Sequence, residues 1–109
     1  MPGPTTIARG NILNEKLIAV TLTPAVVQPF SSSEQAFTIP GVQSGDYINT
    51  AFVGAQNNGV VVANVRVTGA NTVAIQFANI TAVGVTPASG TYGFIWGRPE
   101  YLPLDANVL

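Results

Sequence analysis

The chain contains no cysteine and no histidine, and only 8% of its 109 residues are charged. Without cysteine, neither a disulfide framework nor a thiolate metal site can form. Without histidine and cysteine, the chain alone cannot build a Ser-His-acid or Cys-His nucleophile. Its five acidic residues show neither the facing pair that glycoside hydrolysis needs nor the spacing of a calcium loop. We therefore predict a protein that is not an enzyme and uses no cofactor and no metal.

The scarcity of charge also limits what the surface can be. Charged residues make up about 25% of an ordinary domain, so four basic and five acidic residues cannot supply a normal charged coat. Contiguous apolar surface of more than roughly a few hundred Å² usually marks an interface with a partner. We therefore expect a homo-oligomer, a subunit docked on a larger assembly, or both.

Other absences narrow the choice of partners. The net charge is −1 and no Lys or Arg cluster occurs, so there is no electrostatic footprint for nucleic acid or an anionic membrane. Asn, Thr, Gln, Gly or Pro interrupts every apolar run before it reaches the roughly 20 residues of a spanning helix. The start, MPGPTTIARGN, has no apolar core of a secretory signal. We expect a protein made in a cytoplasm, with neither nucleic acid nor membrane as a partner.

Alternation of large and small residues predicts two strands in the second half of the chain. In TVAIQFAN, from Thr72, and in GTYGFIWG, from Gly90, every second residue is large and apolar, which is the period of a strand with one inward face. Gly93 and Gly97 on the opposite face would let another backbone approach closely. The predicted core residues are Val73, Ile75, Phe77, Tyr92, Phe94 and Trp96. An interface position or a sugar-stacking platform is the alternative for Trp96.

The rest of the chain also predicts strands. NGVVVANVRVTG begins with an Asn-Gly turn signal, and its Val61, Ala63, Val65 and Val67 share one face, with Arg66 on the other. LIAVTLTPAVVQ, interrupted by proline, SEQAFTIPG and GDYINTAFVG are further candidates. Strand signals recur with Gly, Pro, Asn or Ser between them and no helical stripe occurs. We predict a single-domain all-β sandwich of about seven or eight strands, either jelly-roll or immunoglobulin-like.

The two ends differ from the middle of the chain. Residues 1–14 and 99–109 are interrupted by proline and lack alternation, so we predict arms at both ends of a β-sandwich domain spanning residues 15–98. Frayed termini are one interpretation. The other is extended arms that become ordered on a neighbouring subunit, because their apolar residues are unusual in a disordered tail. The candidate interface residues in the arms are Ile12, Leu13, Tyr101, Leu102 and Leu104.

The stretch from Phe37 to Arg98 resembles a known family. VAIQFANITA followed by VTPASGTYGFIWGR is similar to a pattern that recurs in small bacteriophage structural proteins, F.N.TA....TP..G.Y.F with an arginine shortly after. Upstream, IPGVQSGDYINTAF and NNGVVVANVRVTGANTV also resemble that family. The family is that of capsid decoration or cement proteins and related virion modules. The resemblance implies a β-sandwich or jelly-roll subunit, a homotrimer, that binds the major capsid protein on the outside of an icosahedral head.

Polar residues within this stretch have structural interpretations. Asn79, Thr81 and Thr86 can hydrogen-bond backbone groups where a strand ends, and the Pro-Ala-Ser-Gly sequence from Pro87 predicts a turn. Asp46 follows a glycine and can hold a turn by accepting amide hydrogen bonds.

Two arginines are more informative, because charge is so rare in this chain. Arg66 and Arg98 lie on or just after predicted strands. They are either solvated strand-end residues or interface residues that pair with a carboxylate across a contact between subunits or with the capsid. The candidate carboxylates are Glu34, Asp46, Glu100 and Asp105.

Two non-enzymatic functions fit these observations. The first is a cement subunit on the capsid exterior, which acts by burying surface across joints between major capsid proteins. The second is a receptor- or glycan-binding module of a phage fibre or spike. The second function requires a solvent-facing aromatic ring, so the exposure of Trp96 and the tyrosines discriminates between them.

Overall fold

The computed structural model describes residues 12–100, and within them the chain forms six β-strands and no helix. The strands pair in two antiparallel sheets, which we call the first sheet, in the order β1-β6-β3, and the second sheet, in the order β2-β5-β4. The all-β prediction is confirmed, and the arrangement is consistent with a β-sandwich. The strands are β1 (Ile12–Leu22), β2 (Ser31–Thr38), β3 (Tyr47–Val53), β4 (Val60–Gly69), β5 (Thr72–Asn79) and β6 (Gly90–Pro99).

The predicted number of seven or eight strands is wrong for the described residues, which form six. The difference lies in two proline-containing segments. Val27, which follows Pro24, forms only an isolated bridge with Val85, through backbone hydrogen bonds of 2.8 and 3.1 Å. Pro29 and Pro87 lie two residues beyond this bridge and lack the N–H that a longer ladder requires.

A single apolar core lies between the two sheets. The six residues that alternation predicted as core are all buried in it, so the predicted inward faces of β5 and β6 are confirmed. Strands β1, β3 and β4 and the segments between strands supply the remaining members. The buried cluster comprises Leu22, Val27, Ile39, Val42, Ile48, Val60, Val73, Ile75, Phe77, Tyr92, Phe94 and Trp96.

The predicted face of β4 is wrong in the first half of the strand. Val65 and Val67 pack against the core as predicted, but Val61 is 49% exposed. A bulge follows Val62 and inserts Ala63 as an extra residue. Because one inserted residue exchanges the two faces of a strand, Val62 rather than Val61 packs against the core.

Strands β1 and β6 bring the two ends of the described chain together, since Ile12 pairs with Pro99. Ile12 and Leu13, which the sequence placed in an arm, are the first residues of β1. The described chain therefore begins and ends at the same end of the first sheet. Residues 1–11 and 101–109 lie outside the described residues. The candidate interface residues outside are Tyr101, Leu102 and Leu104.

Candidate interface surfaces

The outward side of the first sheet carries a group of apolar residues, bordered by polar ones such as Asn49, which also pairs with Ile95. Leu17 on β1 pairs with Ile95 on β6, and these side chains are 62% and 41% exposed. Ala19 and Phe52 both pair with Gly93, one from each side, and both are exposed. We call Leu17, Ala19, Phe52 and Ile95 the apolar face. Because larger exposed apolar patches are typical of interaction sites, the apolar face is a candidate interface.

Two glycines of β6 leave space for aromatic rings on this side of the sheet, because they have no side chain. A Cβ atom at Gly93 would lie 2.2 Å from the ring of Phe52, and one at Gly97 would lie 2.0 Å from the ring of Tyr47. The prediction that these glycines admit another backbone is therefore corrected: they admit two side chains of β3. Any larger residue at either position would displace a ring from the sheet.

Glu15 contributes a charge beside the apolar face, and it is hydrogen-bonded. The hydroxyl of Tyr47 donates to its carboxylate, so the two edge strands are linked across Gly97, with which both residues pair. The pKa of Tyr47 is raised to about 12. The hydrogen bond to Glu15 contributes most, and burial and the negative charge of Glu15 add to it. The carboxylate thus has a partner within the chain.

The outward side of the second sheet carries an ion pair across its central strand, together with exposed Val61 on β4. Arg66 on β4 donates two hydrogen bonds of 2.8 Å, from Nε and Nη2, to the carboxylate of Glu34 on β2. The pair spans the central strand β5, whose outward Ala74 is only 4% exposed. The hydrogen bond and charge of Arg66 hold the pKa of Glu34 below its ordinary value. The candidate residue Arg66 thus has a partner within its own chain.

Arg98, the second candidate arginine, pairs with Asp46. Arg98 donates through Nε and Nη2, each at 2.9 Å, to a carboxylate that is 2% exposed. Trp96 Nε1 and the Gln43 amide donate to the same group at 2.9 and 2.8 Å, which confirms the predicted turn role of Asp46. Burial opposes ionisation of this carboxyl, but the hydrogen bonds outweigh it and lower the pKa of Asp46.

Trp96 lies at the bottom of a groove beside β1 with a volume of about 280 Å³. The indole is 6% exposed, so its predicted core position is confirmed, and the ring is not open to solvent for stacking. Lys16 Nζ lies 5.6 Å from its ring centroid. We call this feature the Lys16 groove. Its other walls are Ile18, Val20, Ile39, Pro40, Gly41 and Val42.

Asn79 organises the loops at the opposite end of the molecule. The side chain is 2% exposed, and its Nδ2 donates to the carbonyls of Val27 and Val83 at 3.0 and 2.8 Å. Its Oδ1 accepts the amide of Thr81 at 2.9 Å. The predicted roles of Asn79 and Thr81 are confirmed. Thr86 accepts a hydrogen bond from Asn57 through its backbone carbonyl.

The same loops expose large apolar side chains that sequence reasoning missed. Phe30 is 73% exposed and adopts a left-handed φ of 49°, while Ile80 and Val83 are 68% and 64% exposed. A signal was present, because segments 23–30 and 80–89 contain proline and no charge. Such segments form no regular strand whose alternation would turn their apolar residues towards the core.

Comparison with known proteins assigns the chain to no family, and the described residues contain no group that could hold a metal ion. Within residues 12–100, no three acidic side chains lie close enough to hold a metal ion, and no helix is long and apolar enough to cross a membrane. No protein-family model, curated protein or solved structure matches the chain. The resemblance to capsid decoration proteins therefore stays a prediction.

Proposed function

We propose that this chain is a structural virion protein, a trimeric cement or decoration subunit that binds the outside of a bacteriophage capsid and stabilises it. The observation that carries the proposal is the apolar face on the first sheet, with Leu17 62% exposed. A subunit of this kind works by contact alone, which suits a chain without histidine or cysteine. The protein is made in the host cytoplasm and acts on the virion.

The difference between the two outer faces supports an assembly role. The second sheet covers its outer face with a bidentate ion pair and with a hydrogen bond from Gln76 to Ser32. Of the exposed large apolar residues in the described strands, the second sheet has only Val61, whereas the outer side of the first sheet presents Leu17, Phe52 and Ile95. Burying a side chain of this size contributes about 1.5 to 3 kcal/mol, so a partner that covers the apolar face gains substantial free energy.

The size of the face argues for more than one contact per subunit. With 11 residues in β1 and three strands, strand rise and spacing give the whole outer side of the first sheet roughly 500 Å², of which the apolar face is only a part. A standard interface takes about 800 Å² from each partner. The apolar face therefore needs additional contacts, which the arms and the capsid surface supply. Simultaneous binding at several equivalent sites converts modest contacts into high avidity.

The strand order supports the jelly-roll topology over the immunoglobulin-like one. Successive strands alternate between the sheets except at the β4–β5 hairpin, and the order β1-β6-β3 over β2-β5-β4 pairs the first strand with the last and the second with the fifth. This nesting is typical of a rolled antiparallel ribbon. An immunoglobulin-like fold would place the first two strands side by side in one sheet.

Deleting the arms tests the proposal. Deleting residues 1–11, or separately residues 101–109, leaves β1 and β6 whole. We expect each truncated chain to keep its β-sheet circular dichroism while losing oligomer mass or attachment to heads of the phage that encodes it. Native mass measurement and co-sedimentation with heads provide the test.

The outcomes separate the two functional classes. An intact chain that is monomeric at all concentrations and does not bind heads would contradict the proposal, as would truncated chains that bind and stabilise heads like the intact chain. A receptor-binding module would keep its assembly without the arms and lose cell binding when its exposed loops are changed.

A further inference from the structure

The Lys16 groove combines an apolar lining with a positive charge that contacts the ring of Trp96 and has no carboxylate partner among the described residues. Lys16 forms no ion pair with any carboxylate among residues 12–100, where the ion pairs join Arg66 to Glu34 and Arg98 to Asp46. Ile18 and Val20 line the same groove and are only partly buried. A fitting occupant would bring apolar side chains and one carboxylate.

We propose that the Lys16 groove receives residues 101–109 of a neighbouring copy, so that each subunit gives its C-terminal segment to the next. The segment reads YLPLDANVL. Its leucines match the apolar lining, and Asp105, its one acidic side chain, matches Lys16 in charge. This inference rests on the proposed homo-oligomer and names the contact that holds it together.

The path of the chain favours a neighbour's groove over its own. The groove runs beside β1 from Lys16 to Val20, which pair with Trp96 and Tyr92, whereas β6 leaves this region in the other direction at Pro99. A residue before proline is held extended, and Pro103 repeats this restriction within the segment. Nine extended residues span up to about 30 Å, which is enough to reach the next subunit.

The position of β1 adds a second kind of contact. This strand forms an edge of the first sheet, and an extended segment laid along an open edge gains backbone hydrogen bonds. A contact in which the segment of one copy enters the groove of the next is heterologous, and such contacts close into rings when the rotation allows. In a three-membered ring, each of the three grooves binds the C-terminal segment of one neighbouring copy.

Two full-length charge-reversal variants test the inference. Lys16→Glu and Asp105→Lys each replace attraction by repulsion, so each alone should weaken self-association by roughly fivefold or more. An equimolar mixture should recover association in part, because two of the three contacts in a mixed ring then join opposite charges while the third joins like charges. A chain that carries both changes should recover it fully, because every contact then joins opposite charges again. Analytical ultracentrifugation measures the mass, and Trp96, the single tryptophan, gives a fluorescence signal from within the groove. Thr68→Glu on the exposed side of β4 is the control and should associate like the unchanged protein.

The possible results lead to different conclusions. Recovery on mixing supports the proposal. Full recovery in a chain that carries both changes, with no recovery at all on mixing, means that the segment occupies its own groove, and this overturns the proposal. Self-association that neither variant weakens also overturns it, while the proposed oligomeric function stands. An unchanged protein that never associates overturns both.

Discussion

Phe77 and Tyr92 meet edge to face between the two sheets, with ring centroids 6.2 Å apart and planes inclined by 79°. Each residue lies on the central strand of its sheet. The Tyr92 hydroxyl donates to the carbonyl of Ala88 at 2.7 Å and accepts from Gln56 Nε2 at 3.0 Å. This pair therefore links the apolar core to the loops at one end of the molecule.

Removing one ring of this pair should destabilise the fold strongly. Phe77 has no exposed surface, so Phe77→Ala leaves a cavity and should lower the free energy of unfolding by about 3 to 5 kcal/mol. Gln76→Ala, on the outward face of the same strand, loses one hydrogen bond to Ser32 and should have little effect. Denaturant unfolding compares the two variants, and equal effects would mean that the faces of β5 are assigned the wrong way round.

Neutralising Asp46 should also be costly. Its side chain is 2% exposed and lies 2.9 Å from the guanidinium of Arg98, so Asp46→Asn replaces a buried charge-assisted contact of Arg98 by a neutral one. We expect the free energy of unfolding at pH 7 to fall by about 2 to 4 kcal/mol, near the range for breaking a buried ion pair. Glu34→Gln is the matched control on the exposed Arg66 pair and should change stability much less. Comparable losses in the two variants would contradict this account.

The same carboxyl predicts a dependence of stability on pH. The pKa of Asp46 is lowered in the folded protein, so its stabilising contribution is complete above the unfolded value of about 3.9 and disappears as the pH falls through the folded value. The free energy of unfolding of the intact chain should therefore decrease on acidification below about pH 4. The Asp46→Asn variant should show a flatter curve. An equally steep acid loss in both proteins would show that other carboxyls control it.

Tyr47 should titrate unusually late. Its hydrogen bond to Glu15 raises its pKa to about 12, and the neutral hydroxyl is the form that this bond favours. The resulting stabilisation is complete below the ordinary tyrosine pKa of about 10 and is lost as the pH rises through the folded value. Near-ultraviolet absorbance measures the ionisation. Glu15→Gln should bring the pKa of Tyr47 back towards its ordinary value, and an unchanged titration would contradict the link between β1 and β3.

The sequence predicted what depends on local periodicity and failed where distant residues meet. The inward faces of β5 and β6 followed from alternation alone, because each strand is regular over its core positions. The face of β4 could not be predicted in full, because a bulge after Val62 leaves no clear mark in a run of valines. Tertiary register was equally hidden, and with it the rings that rest on Gly93 and Gly97.

The candidate site residues show the same limit. Scarcity of charge suggested that Arg66 and Arg98, if not simply solvated, pair with a carboxylate across an interface, and the candidate acids included Glu34 and Asp46. The structure instead pairs each arginine within its own chain. Which acid meets which arginine depends on pairings across 32 and 52 residues, which no local pattern specifies. The apolar face was hidden for a related reason, since Leu17 precedes inward-facing Ile18 and Ile95 lies between two core aromatics.

The apolar face provides the prediction that bears most directly on assembly. Leu17→Glu places a charge at its most exposed position, where any partner that covers the face would have to bury it. Losing the burial of a leucine is worth about 1.5 to 3 kcal/mol, so association should weaken by roughly 10- to 100-fold while the fold is retained. Val61→Glu is the matched control, because Val61 is also an exposed apolar residue, 49% accessible, on the edge strand β4 of the other sheet. Native mass over a concentration series measures association, and circular dichroism checks the fold. If Val61→Glu weakens association as much as Leu17→Glu does, the face used for assembly is not the outer side of the first sheet.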